Sequence, residues 1–133
     1  MTNFQAVYYR DRDGGEPVRE FVDALPEEEQ AAIDHQIDRL NLLSDEFPHL
    51  PFPHSSQVEG EFRELRCHYG RNLYRVLYRR SDRLVLLLHV FAKRSAKIPE
   101  REIQIARDRW DDFKARMDAD PRVPPRAAGR DAP

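Results

Sequence analysis

The spacing of hydrophobic positions changes along the chain. Residues 4–10 are rich in aromatic and β-branched side chains and end at a glycine-containing turn, which predicts a first strand. Apolar side chains then recur at helical spacing, first over 17–25 and again after Pro26, where three glutamates favour a helix start. Three prolines in 46–54 predict an extended loop.

From residue 62 onward the apolar positions alternate with a period of two. This alternation predicts strands over 62–68, 73–80 and 83–92, which are joined by tight turns at 69–72 and 81–82. Three consecutive strands on short turns form an antiparallel meander. A last apolar stripe returns to helical spacing and predicts a final helix. Its members are Ile103, Ala106, Trp110, Phe113 and Met117.

The predicted order of elements is β–α–α–β–β–β–α, which is an α+β fold with a small, mostly antiparallel sheet. We expect the helices to lie on one face of the sheet, because a small sheet has to bury its apolar side, and the other face to stay open. The domain is predicted to span residues 1–117. Segment 118–133 is rich in proline and has almost nothing apolar to bury, so we expect a disordered tail.

Composition excludes several classes of protein. Cys67 is the single cysteine, so no internal disulfide is expected and the residue is interpreted as a packing side chain. No arginine-led apolar run opens the sequence, so we expect no signal peptide, and the longest apolar run, Leu84–Leu88, is too short for a bilayer. Both observations predict a cytoplasmic protein without membrane contact. The sequence has no glycine-rich phosphate loop and its five histidines lack metal-ligand spacing, so neither a metal nor a cofactor is predicted.

The net charge of −2 hides two segments of opposite sign. Residues 11–62 carry three basic and fourteen acidic side chains, whereas residues 62–109 carry thirteen basic and five acidic ones. A basic surface on an otherwise acidic chain indicates a polyanionic partner that is held by one face. The alternative is internal neutralisation, in which acidic helices lie against a basic sheet. Charge alone leaves both interpretations open.

The basic side chains include a candidate site for RNA. Strand alternation places Arg66 and Arg75 side by side on the open face, and Lys93 and Arg94 follow beside a helix N-terminus, which itself favours anions. Permanent cations of this kind bind phosphate and stabilise the added charge of a phosphorane-like transition state. Because RNA supplies its own nucleophile, the 2′-OH, such a site is suited to cleaving RNA without a metal.

These residues also have structural interpretations. Arg75 could pair with Glu64 across the strands, and Lys93 and Arg94 could form an ordinary solvated strand end. His68, at the mouth of the basic face, is a candidate general acid or base, although a histidine beside a turn more often has no chemical role. Further candidate RNA contacts are Arg71, Arg79 and Lys97.

Two segments of the chain resemble the RelE/HigB superfamily of type II toxin–antitoxin systems, in particular its phage-derived HigB-like branch. They are FRELRCHYGRNLYRVLYRR (62–80) and LVLLLHVFAKRSAKIPEREIQIARDRWDDF (84–113). The shared motifs are a Leu-Arg strand, a Tyr-Arg-x-x-Tyr strand, an apolar strand ending Leu-His-x-Phe-x-Lys-Lys and a Pro-x-x-Glu-Ile helix.

The resemblance implies a RelE-like fold and a ribosome-dependent mRNA endonuclease that inhibits translation. It also implies a helix-turn-helix antitoxin partner similar to HigA. Arg66 and Arg75 match sheet arginines that face the RNA in this family, Lys93 and Arg94 match its Lys-Lys or Lys-Arg pair, and Lys97 lies just beyond. The acid–base residues vary within the family and do not carry over. A sister branch poisons DNA gyrase on the same fold, so a gyrase-binding inhibitor and a non-catalytic binding module stay open as alternatives.

Overall fold

The computed structural model describes residues 4–92 and 97–119, which form five strands and three helices. The strands are β1 (Gln5–Tyr8), β2 (Ser55–Glu59), β3 (Phe62–Tyr69), β4 (Asn72–Ser81) and β5 (Leu84–Ala92). The helices are α1 (Pro17–Asp23), α2 (Glu27–Leu40) and α3 (Glu100–Ala119). The predicted α+β class is confirmed, and the predicted order of elements holds apart from one additional strand.

All five strands belong to one sheet, in the order β1-β5-β4-β3-β2. The predicted meander β3-β4-β5 is antiparallel throughout, and β1 runs parallel to β5 at one edge. Gly70 adopts a φ of 57° in the turn between β3 and β4, a left-handed conformation that glycine reaches without steric cost. The sequence therefore specified the centre of the sheet correctly.

Strand β2 at the other edge was not predicted. Its sequence, SSQVE, contains one apolar side chain and so lacks the alternation that marks a half-buried strand. The strand is held by antiparallel pairing with β3 across the turn at Gly60. Short polar strands are common at sheet edges, where a long apolar strand would expose unpaired backbone groups to other chains.

The helical hairpin of α1 and α2 covers one face of the sheet, which we call the hairpin face. Its buried side chains include Ile33, Ile37 and Leu40, which belong to one apolar cluster with Leu65 and Val76 of the sheet. This cluster is the larger part of the core.

A buried polar contact fixes α2 to β4 at the edge of this cluster. The Tyr74 hydroxyl donates a hydrogen bond of 2.5 Å to the Glu29 carboxylate, which also accepts one of 2.8 Å from the Asn72 amide. The hydrogen bond to the carboxylate, together with burial, raises the pKa of Tyr74 to about 12. The hydroxyl therefore stays protonated and keeps its role as a donor.

The prediction that all helices share one face is wrong, because α3 packs on the opposite face. There Ala106 and Phe113 of α3 join Leu86 and Leu88 in a second apolar cluster, whereas Leu87 belongs to the hairpin-face cluster. Strand β5 is thus apolar on both sides and needs cover on both, as continuous apolar runs generally do. We call this second face the α3 face. Helix α3 lies over β5 and β4, so the face is only partly covered.

Parts of the prediction fall outside the described residues. Lys93 and Arg94 belong to this undescribed part, as does the predicted tail from residue 120 onward. Helix α3 continues to Ala119, two residues past the predicted domain end at 117. Across the described chain, none of the helices combines the length and apolar character that a bilayer crossing requires.

Candidate functional site

A cleft of about 350 Å³ opens on the α3 face of the sheet, between β2 and the start of α3. The sheet contributes Glu64 from β3 and Arg75 from β4. The two sides of the cleft are formed by β2 residues and by residues at or before the first turn of α3. These are Ser56, Gln57 and Val58 on one side and Lys97, Ile98 and Ile103 on the other.

An ion pair between Arg75 and Glu64 forms the floor of this cleft. The two side chains are only 7% and 5% exposed, and the second oxygen of Glu64 accepts a hydrogen bond of 2.8 Å from the Ser56 hydroxyl. Ser56 is the direct cross-strand partner of Glu64. The Glu64–Arg75 pair, which was the structural alternative to a phosphate contact of Arg75, is therefore present. It also fixes the guanidinium in place while the residue still lines the cleft.

Arg66 lies directly opposite Arg75 in the register of β3 and β4, as predicted. Its guanidinium carbon lies 5.6 Å from the centre of the Phe52 ring, and the side chain is half-buried. Among the described residues, no carboxylate comes within ion-pair distance of Arg66, and its buried Nε has no hydrogen-bond partner. Like charges directly opposite each other repel, and Glu64 balances only one of the two. The sheet beside the cleft therefore has an excess of positive charge.

Some of the remaining predicted site residues lie near Arg66 or the cleft, and others lie outside the described residues. His68 follows Arg66 by two positions in β3, which puts it on the same face of the sheet, and it is exposed. Arg71 is exposed in the adjoining turn, and Lys97 lines the cleft. Lys93 and Arg94 lie outside the described residues. The structure thus places Arg75 and Lys97 at one cleft, with Arg66 beside Arg75 on the same face of the sheet.

Arg79 has a different environment. Its guanidinium carbon lies 4.2 Å from the centre of the Trp110 ring and 5.1 Å from that of Phe62, and it forms a 2.8 Å ion pair with Glu61. These contacts connect β4 to α3. They favour a packing role for Arg79 over the predicted contact with RNA.

Sequence reasoning missed the contribution of β2 to the cleft. Ser56, Gln57 and Val58 form one of its sides, and Ser56 fixes the orientation of Glu64. No signal in the sequence marks these residues, because a short polar edge strand resembles a loop. The partner of Glu64 comes from the polar segment Ser55–Glu59, which precedes Phe62.

Both interpretations of the charge asymmetry apply, but to different residues. Ion pairs connect Arg79, Arg83 and Arg107 of the basic segment to acidic residues of segment 11–62, which is internal neutralisation. Their partners are Glu61, Asp45 and Glu59, respectively. In contrast, no described carboxylate forms an ion pair with Arg63, Arg66, Arg71 or Arg80. These four arginines of the sheet and its turns, together with Arg101 and Arg109 of α3, carry the charge that is left for a partner.

Other reactive side chains give no competing site. Cys67 is buried on the hairpin face, and burial raises the pKa of its thiol to about 12, which fits the predicted packing role. Over residues 4–92 and 97–119, no three potential metal-ligating side chains come together. The cationic cleft is therefore the site developed below.

Fold and site together define a small α+β protein with a cationic cleft on one face of its sheet. Residues 20–111 match the family described as Phage derived protein Gp49-like (DUF891), and the chain belongs to this family. The family is associated with the toxins of toxin–antitoxin systems, and membership is consistent with a protein that pairs with an antitoxin. No curated protein gives a match to the chain. The matched residues include the whole β3-β4 floor of the cleft.

Proposed function

We propose that the protein is the toxin of a type II toxin–antitoxin system and that it inhibits translation by cleaving mRNA on the ribosome. The observation that supports this most directly is the register of Arg66 opposite Arg75, which lines the cleft together with Lys97. Membership of a toxin-associated family and the resemblance to the RelE/HigB superfamily agree with the proposal.

The charge distribution of the cleft suits a phosphodiester. A phosphate beside Arg66 would relieve its repulsion from Arg75, which Glu64 relieves only in part. Guanidinium groups present planar forks of donors that match phosphate oxygens. Since the Glu64–Arg75 pair is already fixed, its donors need little reorganisation when negative charge develops on the phosphorus oxygens. Glu64 is then a positioning residue that acts through Arg75.

The reaction requires little beyond charge stabilisation and proton transfer. The 2′-oxygen of the RNA attacks the adjacent phosphorus, and the bond from phosphorus to the 5′-oxygen of the next nucleotide breaks. One proton leaves the 2′-hydroxyl and one is added to the 5′-oxygen, so that a 2′,3′-cyclic phosphate and a 5′-hydroxyl result. His68, exposed on the same face as Arg66, is the candidate for one of these transfers, a contribution of about 10²–10⁴-fold.

The partner in this proposal is a helix-turn-helix antitoxin similar to HigA. A cationic cleft built for a phosphate backbone also attracts acidic side chains. We therefore infer that the antitoxin silences the toxin by covering the cleft, and that its affinity falls as salt concentration rises.

The test is induced expression of the chain without an antitoxin, followed by the uptake of labelled methionine and labelled thymidine. We expect methionine uptake to stop first and new mRNA 5′ ends to appear. Arg66→Gln should remove the effect with little change in stability, because it removes an unpaired cation and leaves the Glu64–Arg75 pair intact. Loss of one such donor lowers the rate by about 10²–10³-fold.

Arg101→Gln is the matched control, since Arg101 is an exposed arginine on α3 that neither lines the cleft nor lies opposite Arg75 in the sheet. It should leave toxicity unchanged. An earlier stop of thymidine uptake would favour the gyrase inhibitor instead. Full toxicity of folded Arg66→Gln and Lys97→Gln variants would remove the cleft from the mechanism.

A further inference from the structure

A second cavity, of about 270 Å³, lies at the end of the sheet where β2 turns into β3. Arg63 and Arg80 line it together with Tyr78, His49 and Glu61. Because Arg63 is paired with Tyr78, a residue of the hairpin-face cluster, the cavity is on the face opposite the cleft. None of the residues in the proposed RNA chemistry lines this cavity.

Neutral acceptors hold the two arginines in place. Arg63 donates from Nε to the Ser55 hydroxyl at 3.2 Å, and that hydroxyl shares a 2.6 Å hydrogen bond with Tyr78. Arg80 donates from Nη1 to the Pro48 carbonyl at 3.4 Å, and its guanidinium carbon lies 5.0 Å from the centre of the Phe4 ring. Both side chains are half-buried. The guanidinium groups are thus oriented without being neutralised.

The nearby carboxylates are engaged elsewhere. Glu61 lines the cavity but forms its ion pair with Arg79, at 2.8 Å. Asp45 binds Arg83 through both oxygens, at 2.9 and 2.8 Å. Within the described chain, neither Arg63 nor Arg80 has a carboxylate at ion-pair distance. The hydrogen bond from Arg83 lowers the pKa of Asp45 and the charge of Arg80 contributes to this, but neither arginine of the cavity has a direct ion pair with a described carboxylate, so positive charge is left for a ligand.

The pKa of His49 reflects the same positive potential. Burial lowers the pKa of its imidazole, and the charges of Arg63 and Arg80 lower it further. Binding of an anion between these side chains would reverse the effect of the arginines and favour the protonated ring. A third donor would then become available to the bound group.

From this geometry we propose that the cavity is an anion site that binds one phosphate group between Arg63, Arg80 and His49. Phosphate fits better than carboxylate, because a tetrahedral group offers oxygens to all three donors. A terminal phosphate with two negative charges would balance both arginines, and a backbone phosphodiester with one would balance half of their charge. Two sources share this chemistry, a free nucleotide and the backbone of an RNA strand. Gln57 of β2 borders both this cavity and the cleft, so a strand that occupies the cleft has a path around the sheet edge.

The first measurement is a titration of the ¹⁵N-labelled full-length protein with sulfate, followed by NMR at constant ionic strength. Sulfate has the shape of phosphate, and its charge does not change between pH 5 and 8. We expect saturable shifts of the Gly60, Arg63 and Arg80 amides. Arg63→Gln and Arg80→Gln should each weaken binding by about tenfold to a hundredfold, as expected for a lost hydrogen bond to a charged group. Arg66→Gln, which alters the opposite face of the sheet, should not.

The pH dependence provides an independent readout. His49 faces Arg63 and Arg80 as the charged lining, with Glu61 and the Tyr78 hydroxyl beside them. Sulfate should bind more tightly as the pH falls through the range in which His49 gains its proton, and saturation should raise the pKa of the ring. Shifts that are linear and equal with chloride, or that persist in a folded Arg63→Gln/Arg80→Gln variant, would overturn the proposal.

A second titration distinguishes the two sources of phosphate. A mononucleotide that binds as tightly as a short oligouridine at this cavity identifies a free nucleotide. An oligouridine whose affinity falls with both Arg66→Gln and Arg80→Gln identifies an RNA strand that reaches from the cleft. The cavity does not depend on the proposed cleavage, because a cleft without nuclease activity would leave the sulfate result unchanged. A Glu-rich peptide that displaces sulfate while neither phosphate compound binds would identify a protein ligand and contradict the phosphate assignment.

Discussion

The two faces of the sheet differ in how completely they are covered. On the hairpin face, α1 and α2 close over a continuous apolar cluster, and polar contacts such as that of Glu29 with Tyr74 are at its edge. On the α3 face the single helix reaches only part of the sheet, and the Glu64–Arg75 pair is buried where apolar side chains would otherwise pack. The core is thus provided mainly by one face, which leaves the other free to carry charge.

Arginines on the α3 face also differ from each other, because one packs against the helix and another is left without an ion pair to any described carboxylate. Arg79 stacks on Trp110 and pairs with Glu61, so it holds α3 to the sheet. Of these two kinds of contact, ring stacking and ion pairing, Arg66 has only the first within the described chain, with the Phe52 ring. Two arginines on the same face therefore have different surroundings, because Arg79 contacts Trp110 of α3 and Arg66 contacts Phe52. Substitutions should separate their roles.

The largest loss of unfolding free energy is expected when the buried Glu64–Arg75 pair is broken. Glu64→Gln leaves the guanidinium of Arg75 buried without an opposite charge, which should cost about 3–5 kcal/mol of unfolding free energy. Arg75→Gln should be similarly destabilising for the converse reason. Urea denaturation followed by circular dichroism measures both variants.

The double variant Glu64→Leu/Arg75→Met is the matched control, because it removes both charges and fills the space with apolar groups. Its stability should return to within about 1 kcal/mol of wild type or exceed it, as buried pairs replaced by apolar residues commonly do. If this stable variant is still fully toxic, the Glu64–Arg75 pair has only a structural role. The buried charge of the α3 face would then have no part in toxicity. A Glu64→Gln protein as stable as wild type would contradict the burial argument.

The difference between the two faces also marks the limit of what the sequence predicts. The period of two in β3 and β4 was sufficient to place Arg66 opposite Arg75, because register follows from the short turn at Gly70. The same alternation could not reveal which charge is neutralised, since that depends on how the Glu64 side chain reaches Arg75 and on Ser56 of β2.

The position of α3 was predictable in principle but was predicted wrongly. The run Leu84–Leu88 has no polar alternation, which is typical of a strand buried on both faces. A sheet with such a strand needs a helix on each side. In contrast, the cavity at Arg63 and Arg80 had no signal in the sequence, because it depends on where the loop containing Pro48 and His49 passes.

An intermediate effect is expected at the contact between β4 and α3. Arg79→Gln should lower the unfolding free energy by about 1–2 kcal/mol, because it removes a partly desolvated cation–π contact with Trp110. Glu61→Gln should cost less than about 1 kcal/mol, since it removes only an ion pair whose carboxylate is 79% exposed. Chemical denaturation of the two variants gives the comparison. An equal loss in both would mean that the ion pair, not the stacking, attaches α3 to the sheet.

The smallest effect is expected from histidine titration, and it differs between the two faces. His89 is half-buried beneath α3, 3.3 Å from Glu102 and 3.3 Å from Arg109. Burial lowers the pKa of its imidazole below the ordinary value of 6.5, and the hydrogen bond to Glu102 only partly offsets this. As the pH falls below about 6.5, the unfolded chain therefore binds a proton that the folded protein disfavours. Stability should be full above that pH and decrease as the pH falls towards the folded-state pKa.

This effect can be assigned to one histidine by measuring urea midpoints from pH 7.5 to pH 5 for three variants. His89→Gln should flatten the decline most, because the His89 side chain is only 14% exposed and Gln retains a group that can bond to Glu102. His49→Gln should flatten it less, since the pKa of His49 is also lowered but the residue is exposed on the other face and solvent screens its charge. His35→Gln, at an exposed position of α2, is the control and should leave the slope unchanged. A larger change with His49→Gln than with His89→Gln would mean that the cavity on the hairpin face, not the packing of α3, sets the acid sensitivity of the fold.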